Sequence, residues 1–483
     1  MTRLGSSERS TIRKERGFWA KNSFWLIVIL YVFSRVAFLG LGYGSDDDSW
    51  LIAKSADNLA SNRIYATSRL PGYPLPEFAY ASIFATVGRN WWLCNLISAI
   101  AGLIALVAFM RSIRILNLPD KWLLAATLAF HSSFWIASTS THDLVWSVLF
   151  LQLSLAVGLS EKPQYAGLFA GLAMGARLSN GVMIIPLFLI LWWKKKPIRD
   201  FVLCSGFFLL AGGLALAPLW FVYGYSFLQY SPPTSRDYIT GAYKVYAGII
   251  GFPFVVLMGA YFLWVLKKKY KSRKAVEIHR TRREPDWIVL VSATFLLSLP
   301  FLFLPIDPHY LLPAVPFLVL LLGLVRSVFF RRALLLGLML NSLVGMARFD
   351  IQAWREHHRL QFVPLAQGSF LEDVQYRRSM LTKADGLVRT SFPRPSSTIV
   401  GSGYYPLLKR LGIPESGFDD FITTQQGQIK LFRFMTEAQL QQEYRRAPIY
   451  YVDGENLPYL MRRIYGYSLD SVQAKPLILP EGK

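Results

Sequence analysis

Three consecutive carboxylates, Asp46, Asp47 and Asp48, stand in the segment GYGSDDDSW, directly after an apolar run. Clustered carboxylates raise one another's pKa, which suits proton abstraction or the holding of a divalent cation. They also head the stretch DDDSWLIAKSADNLA, which reads as a helix, and acids in a first turn suit the helix dipole. The residues alone leave both readings open: a general base beside a metal or substrate ligand, or a solvated helix start. In TSRLPGYPL, Arg69 carries the planar fork that suits a phosphate ester. Its neighbours Pro71, Gly72 and Pro74 make a rigid turn, with Tyr73 as an interfacial aromatic anchor. His142 and Asp143 open a later apolar run, where Asp143 is either a helix-start acid or a second carboxylate facing Asp46 and Asp47. Arg177 lies in ARLSNG between two apolar runs, as a snorkelling arginine or a contact for an anionic lipid headgroup. His309 and Tyr310 belong to IDPHYLLPAVP, a proline-bounded loop and helix entry in which His309 is an interfacial residue or a substrate contact.

What positions these residues is a chain of apolar runs. The sequence has 483 residues, 53% of them hydrophobic and only 17% charged, a balance that a soluble protein of this size does not have. A helix crosses the bilayer core with about 20 apolar residues, and the runs here predict an all-α polytopic membrane bundle of about 11 spans. The net charge of +22 could signal nucleic acid. The basic residues instead cluster beside apolar runs, most densely from Lys267 to Arg283, which is the positive-inside pattern and excludes nucleic acid as the expected partner. Taking basic flanks as cytoplasmic puts residues 1–22 inside as a basic N-terminus. Residues 23–347 then form the transmembrane domain, with an outer first loop at 44–90. Residues 348–483 alternate short β-like runs with amphipathic helical ones, and are expected to form a small extracytoplasmic α/β domain. Cys94 and Cys204 both sit inside apolar runs and offer neither a disulfide framework nor a metal cluster. This threading brings Asp46–Asp48, Arg69, His142, Asp143, Arg177 and His309 to outer ends of spans. Ionisable groups at a membrane are expensive, so their gathering on one side marks a functional surface.

With those motifs placed, the chain resembles the GT-C membrane glycosyltransferases, glycosyltransferase family 39 in particular. That group includes dolichyl-phosphate-mannose–protein mannosyltransferases and bacterial lipid A aminoarabinose transferases. Four motifs over residues 20–330 carry the resemblance. They are the acidic pair Asp46-Asp47 followed by Trp50, Asp143 in THDLVW, the hairpin GLFAGLAMGARLSNGVMIIPLFLILWWKKK, and PHYLLPAVP. In the last of these His309 stands where the class usually has arginine, and Trp50 stands where tyrosine is common. The resemblance implies an inverting transfer on the outer face from a sugar carried on a polyprenyl phosphate. Asp46 or Asp47 is then the general base toward an acceptor hydroxyl on a protein, lipid or glycan. Arg69, Tyr73, His142, Asp143, Arg177, His309 and Tyr310 are expected to bind substrate. The leaving phosphate needs a cation, which Arg69, Arg177 or a divalent metal held by Asp47 and Asp143 could supply. The plasma membrane is the expected location.

Two other classes compete. A transporter or lipid flippase needs a polar path to the membrane midplane, commonly through broken helices, and the only break legible in the sequence is at Arg177. A non-catalytic membrane scaffold would make Asp46–Asp48 incidental, and replacing them would leave its function intact.

Overall fold

The computed structural model describes residues 24–229, 238–271, 284–305, 308–350, 361–391 and 398–401, with 421–423, 430–432, 445, 449–452 and 474–476 beyond them. The basic N-terminus, most of the basic loop at 267–283, and the side chain of Asp47 lie outside that set. The described chain is mostly helical. The first helix, α1, covers Phe24–Val36. After it come α2 (Asp47–Asn62), α3 (Pro74–Val87), α4 (Trp91–Ile115), α5 (Lys121–Ala129), α6 (Ser132–Ala137), α7 (Asp143–Leu159) and α8 (Pro163–Ala176). A 3₁₀ turn at Leu178–Met183 leads into α9 (Ile184–Trp193) and α10 (Ile198–Tyr223). Then follow α11 (Tyr238–Val245) with a π turn at Tyr246–Ile250, α12 (Phe252–Lys271) and α13 (Glu284–Phe303). A second 3₁₀ turn at Pro308–Ala314 precedes α14 (Val315–Gly323) and α15 (Val328–Leu340).

Among the described residues, three helices are long and apolar enough to cross a membrane: α4, α10 and the Asp286–Phe303 part of α13. A fourth crossing exists if α11 and α12, which meet at 95°, count as one. Four shorter apolar helical segments accompany them. Several expected spans are therefore broken or short. The run at 121–138 is interrupted at Phe130-His131 and divides into α5 and α6. Hydropathy averages over such breaks, because the interrupting residues are themselves mostly apolar. The outward surface is apolar too, with Phe221 86% exposed, Leu214 68% and Leu209 66% along α10 alone. Such a face is stable only against lipid, so the chain is a multi-pass membrane protein.

The core of the bundle forms where α4, α7, α8 and α10 pack side by side. Gly167 and Gly171 on α8 let its backbone approach α10: a Cβ at Gly167 would stand 2.0 Å from the Cys204 carbonyl oxygen. Small residues four apart are the usual means by which membrane helices reach such contact. That packing fixes the C-terminal end of α8, and with it Arg177.

Beyond the bundle, β1 (Val344–Asp350) and β2 (Gln361–Gln367) form an antiparallel hairpin. It leads into α16 (Ser369–Ser391), which packs against α6. Short strands follow: β3 (Thr398–Gly401), β4 (Phe421–Thr423), β5 (Lys430–Phe432), β6 (Ile449–Val452) and β7 (Ala474–Pro476). They form a sheet in the order β4-β5-β3-β6-β7, parallel at β5-β3-β6 and antiparallel at both edges.

Candidate active site

The polar residues of the first loop are held by the ends of helices. Asp46 is the N-cap of α2, in extended backbone, and its Oδ1 accepts a hydrogen bond from the Ser49 N–H at 2.8 Å. The segment before it is stapled by Asn95 of α4. The Asn95 amide donates to the carbonyls of Leu39 at 2.8 Å and Gly42 at 2.7 Å, and its oxygen accepts from the Thr141 hydroxyl at 2.9 Å. The Thr141 N–H donates to the Tyr43 carbonyl at 2.6 Å. Two loops far apart in sequence, 42–46 and 138–142, are thus laid edge to edge. Arg35 of α1, fully buried, adds to the start of the second loop by donating to the Ser138 hydroxyl at 3.1 Å.

This junction brings His142 against Asp46. The His142 Nε2 lies 3.3 Å from Asp46 Oδ2, and its Nδ1 lies 2.9 Å from Asp143 Oδ1. The Leu144 N–H also stands 3.3 Å from Nδ1. With a carboxylate at each ring nitrogen the imidazolium is favoured, and the shorter carboxylate contact governs. Burial alone would lower the His142 pKa; the charges of Asp46 and Asp143 outweigh it and raise it to about 10. Burial would likewise raise the Asp46 carboxyl. The adjacent His142 charge, with a further contribution from His309, holds it instead well below the usual carboxylate range.

The second oxygen of Asp143 continues the chain of charges, lying 3.1 Å from the Nε of Arg177. Arg177 follows α8 directly in extended backbone (φ −160°, ψ 117°), so the broken hairpin points its side chain at α7. Its guanidinium stacks on Tyr310, 4.5 Å from the ring centroid, and stands 5.5 Å from that of Tyr73. Arg69 shares both rings. Its Nε donates to the Tyr73 hydroxyl at 2.8 Å, its Nη1 reaches the Tyr310 hydroxyl at 3.5 Å, and it forms an ion pair with Asp48. Cations over tyrosine faces are stabilised by the ring quadrupole, and the two guanidinium groups converge on one aromatic pair.

The turn that carries Arg69 is fixed from beneath by Glu77 of α3, which is fully buried. Glu77 accepts from the Ser68 N–H at 2.7 Å and from the Tyr65 hydroxyl at 2.5 Å. Gly72 has a φ of +104°, and a Cβ there would meet the Leu219 side chain at 2.4 Å. Only glycine fits so close to α10 in that conformation.

Most of the residues expected from sequence therefore meet. Asp46, His142, Asp143 and Arg177 form one continuous series of contacts. Arg69, Tyr73 and Tyr310 join it through Arg177, and His309 lies near enough to act on Asp46. The side chain of Asp47 is outside the described residues. Asp143 does not suit the metal expected of it. One of its oxygens faces an imidazole and the other a guanidinium, so a divalent cation would have to displace both partners. Among the described residues no three His, Cys, Asp or Glu side chains are grouped as metal ligands.

Sequence reasoning passed over Glu77, Asn95 and the α16 pair Asp373 and Arg377. Glu77 had a signal, as the lone acid in the apolar stretch LPEFAYASIF. Asn95 sits in an otherwise apolar helix, where a polar amide usually joins neighbouring segments.

No protein-family model matches the chain, and no curated protein matches it. Among solved structures it is similar to ArnT from Cupriavidus metallidurans in the apo state. That match has 12% identity and a TM-score of 0.49, over 81% of this chain and 85% of that one. It is also similar to ArnT from the same organism bound to undecaprenyl phosphate, with 14% identity and a TM-score of 0.47, over 82% and 85%. At that identity and score the likeness says nothing about which residues react.

Proposed function

We propose that this protein is an inverting membrane glycosyltransferase that moves a sugar from a polyprenyl-phosphate carrier to an acceptor hydroxyl. The observation that carries the reading is the convergence of Asp46, the His142–Asp143 pair, Arg177 and Arg69 on a common cluster capped by Tyr310. Five separate stretches of chain supply these groups, and each is expensive to bring beside lipid.

In this reading the acceptor oxygen attacks the anomeric carbon as the bond from that carbon to the phosphate oxygen breaks. The hydroxyl proton passes to a first-loop carboxylate, Asp46 or Asp47, and the bonding electrons leave with the lipid phosphate. Asp46 is held firmly ionised, so it is always ready to accept a proton and is a weak base. A weak base suffices here, because the hydroxyl acidifies as it bonds to an electron-poor carbon. Arg69 and Arg177 supply positive charge for the departing phosphate, whose oxygens match their donor geometry. Tyr73 and Tyr310 hold the two guanidinium planes. His142 keeps Asp46 oriented and Asp143 keeps His142 protonated. The lipid-facing bundle offers the prenyl chain an apolar path. No step here is assigned to a metal, since the described donors are already paired with cations.

The test is release of labelled sugar from a panel of polyprenyl-phosphate sugars in membranes, with Asp46→Asn, Asp47→Asn and the double variant at matched expression. Loss of the base should cost about 10²- to 10⁴-fold in rate. Transfer that survives the double variant would remove both residues from the mechanism.

A further inference from the structure

The helix α16 reaches back to the site from well beyond the bundle. Phe370 stacks face to face on Trp135 of α6, with centroids 3.8 Å apart and planes 9° from parallel, and Phe38 meets it edge-on at 5.1 Å. This seats the next turns of α16 over the two stapled loops. Asp373 and Arg377 are both fully buried there and lie 3.2 Å apart. Arg377 donates to the Thr139 carbonyl at 2.9 Å and to the Thr139 hydroxyl at 3.3 Å. Thr139 belongs to the loop that ends at His142. Asp373 lies close enough to Ser45, Asp46 and His309 for each to act on its carboxyl, and Leu381, further along α16, stands 3.6 Å from where a Cβ on Gly42 would be. The helix therefore touches the 138–142 loop through Arg377 and lies against the 42–46 segment, the two loops whose ends meet as Asp46 and His142.

A buried ion pair is seldom a gain in stability, since desolvation roughly cancels attraction. Hydrophobic packing through Phe370 already docks the helix. The pair is better understood by what it fixes.

We infer that Asp373 and Arg377 are positioning residues for the reaction proposed above. Arg377 sets the height of the 138–142 loop, Asp373 sets the 42–46 segment, and together they hold His142 against Asp46. The site is then completed by a helix outside the membrane bundle. The inference rests on the proposed transfer only for its kinetic arm.

The experiment uses the full-length protein in detergent. The main variant is Asp373→Asn/Arg377→Met, which removes one charge of each sign and leaves the net charge near the site unchanged. Arg377→Lys, which keeps the charge but loses the fork, is read alongside it in case the double variant does not fold. Glu161→Gln, exposed and remote, is the control. Two quantities are read: kcat and donor KM in the transfer assay, and the titration midpoint of His142 by ¹⁵N-histidine NMR, the resonance being identified by its loss in His142→Gln. Among the described residues, the charged groups facing the His142–Asp46 pair are Asp143 with Arg177 behind it, His309, and the α16 pair itself. Only the last changes.

The expected result for the double variant is a fall in kcat of about 10- to 100-fold with little change in donor KM, as misplacement of a catalytic group produces. The His142 midpoint should fall from about 10 toward the ordinary imidazole value. Arg377→Lys should move both the same way and less far. An unmoved midpoint overturns the inference even if kcat drops, and so does a change confined to KM. If no polyprenyl-phosphate sugar is consumed by the wild type, the proposed function falls, and the midpoint alone decides the positioning role.

Discussion

His142 between two carboxylates is the smallest unit of the charged cluster. Its folded pKa is raised to about 10, so its pairing is complete below the ordinary imidazole value and is lost only as pH climbs through about 10. The Asp46 pKa is lowered, so its pairing is complete above the ordinary carboxylate value and is lost only as pH falls through the depressed one. Both directions leave the pair intact across the neutral range. The pH–rate profile of kcat/KM should therefore show no limb from either group between about pH 5 and 8. A limb near pH 6.5 that disappears in His142→Gln would contradict the pairing. Arg177→Lys tests the guanidinium plane: it keeps the charge and loses the stacked, forked geometry over Tyr310. Donor KM should rise about tenfold, equivalent to about 1.4 kcal/mol. At this scale the sequence was informative but two-valued. Asp46 is a helix cap and a member of the charged cluster at once, so serving as a cap does not take it away from the other polar groups.

At the scale of elements, helix ends do the positioning. The α2 cap aims Asp46, the first turn of α7 aims Asp143, and the break after α8 aims Arg177. Those junctions were legible, because caps, prolines and polar turns between apolar runs leave local signals. The turn at 65–73 depends on Glu77, which was not read as part of the site. Glu77→Ala would leave the Ser68 N–H and Tyr65 hydroxyl unpartnered in a buried place, at a cost of about 1–3 kcal/mol each at most. The expected readout is a lower melting temperature together with new proteolytic cleavage between Tyr65 and Tyr73. A melting temperature equal to wild type would show that the turn stands without it. Gly72→Ala should lower the melting temperature by a different route, because a φ of +104° strains any L side chain and the added methyl would also crowd Leu219 and Thr67. The α16 contacts left no trace in the sequence. Arg377 and Thr139 are 238 positions apart, and a helix carrying that many charges reads as solvated.

Across the whole molecule, charge is sorted by burial. At the end away from the His142 cluster, Asp120 joins Arg331 and Arg332 at 2.7 and 2.8 Å, tying α5 to α15. Glu161 meets Lys194 and Lys196 at 3.0 and 2.6 Å with half of its side chain in solvent. The exposed cluster should matter little: Glu161→Gln is expected to cost under about 1 kcal/mol, whereas Asp120→Asn strands the mostly buried Arg331 and should lower the melting temperature visibly more. Equal effects would show that burial does not rank these pairs. The count of spans was the least legible feature, since breaks at Phe130-His131 and at Gly251 lie inside apolar sequence and depend on neighbours rather than on composition. The place of α16 also sets an order of assembly. A ribosome delivers the bundle first and this helix late, and α16 must arrive on the same side of the bilayer as residues 42–46. Until it does, a nascent chain has its bundle but lacks the contacts from Arg377 to Thr139 that close over the 138–142 loop.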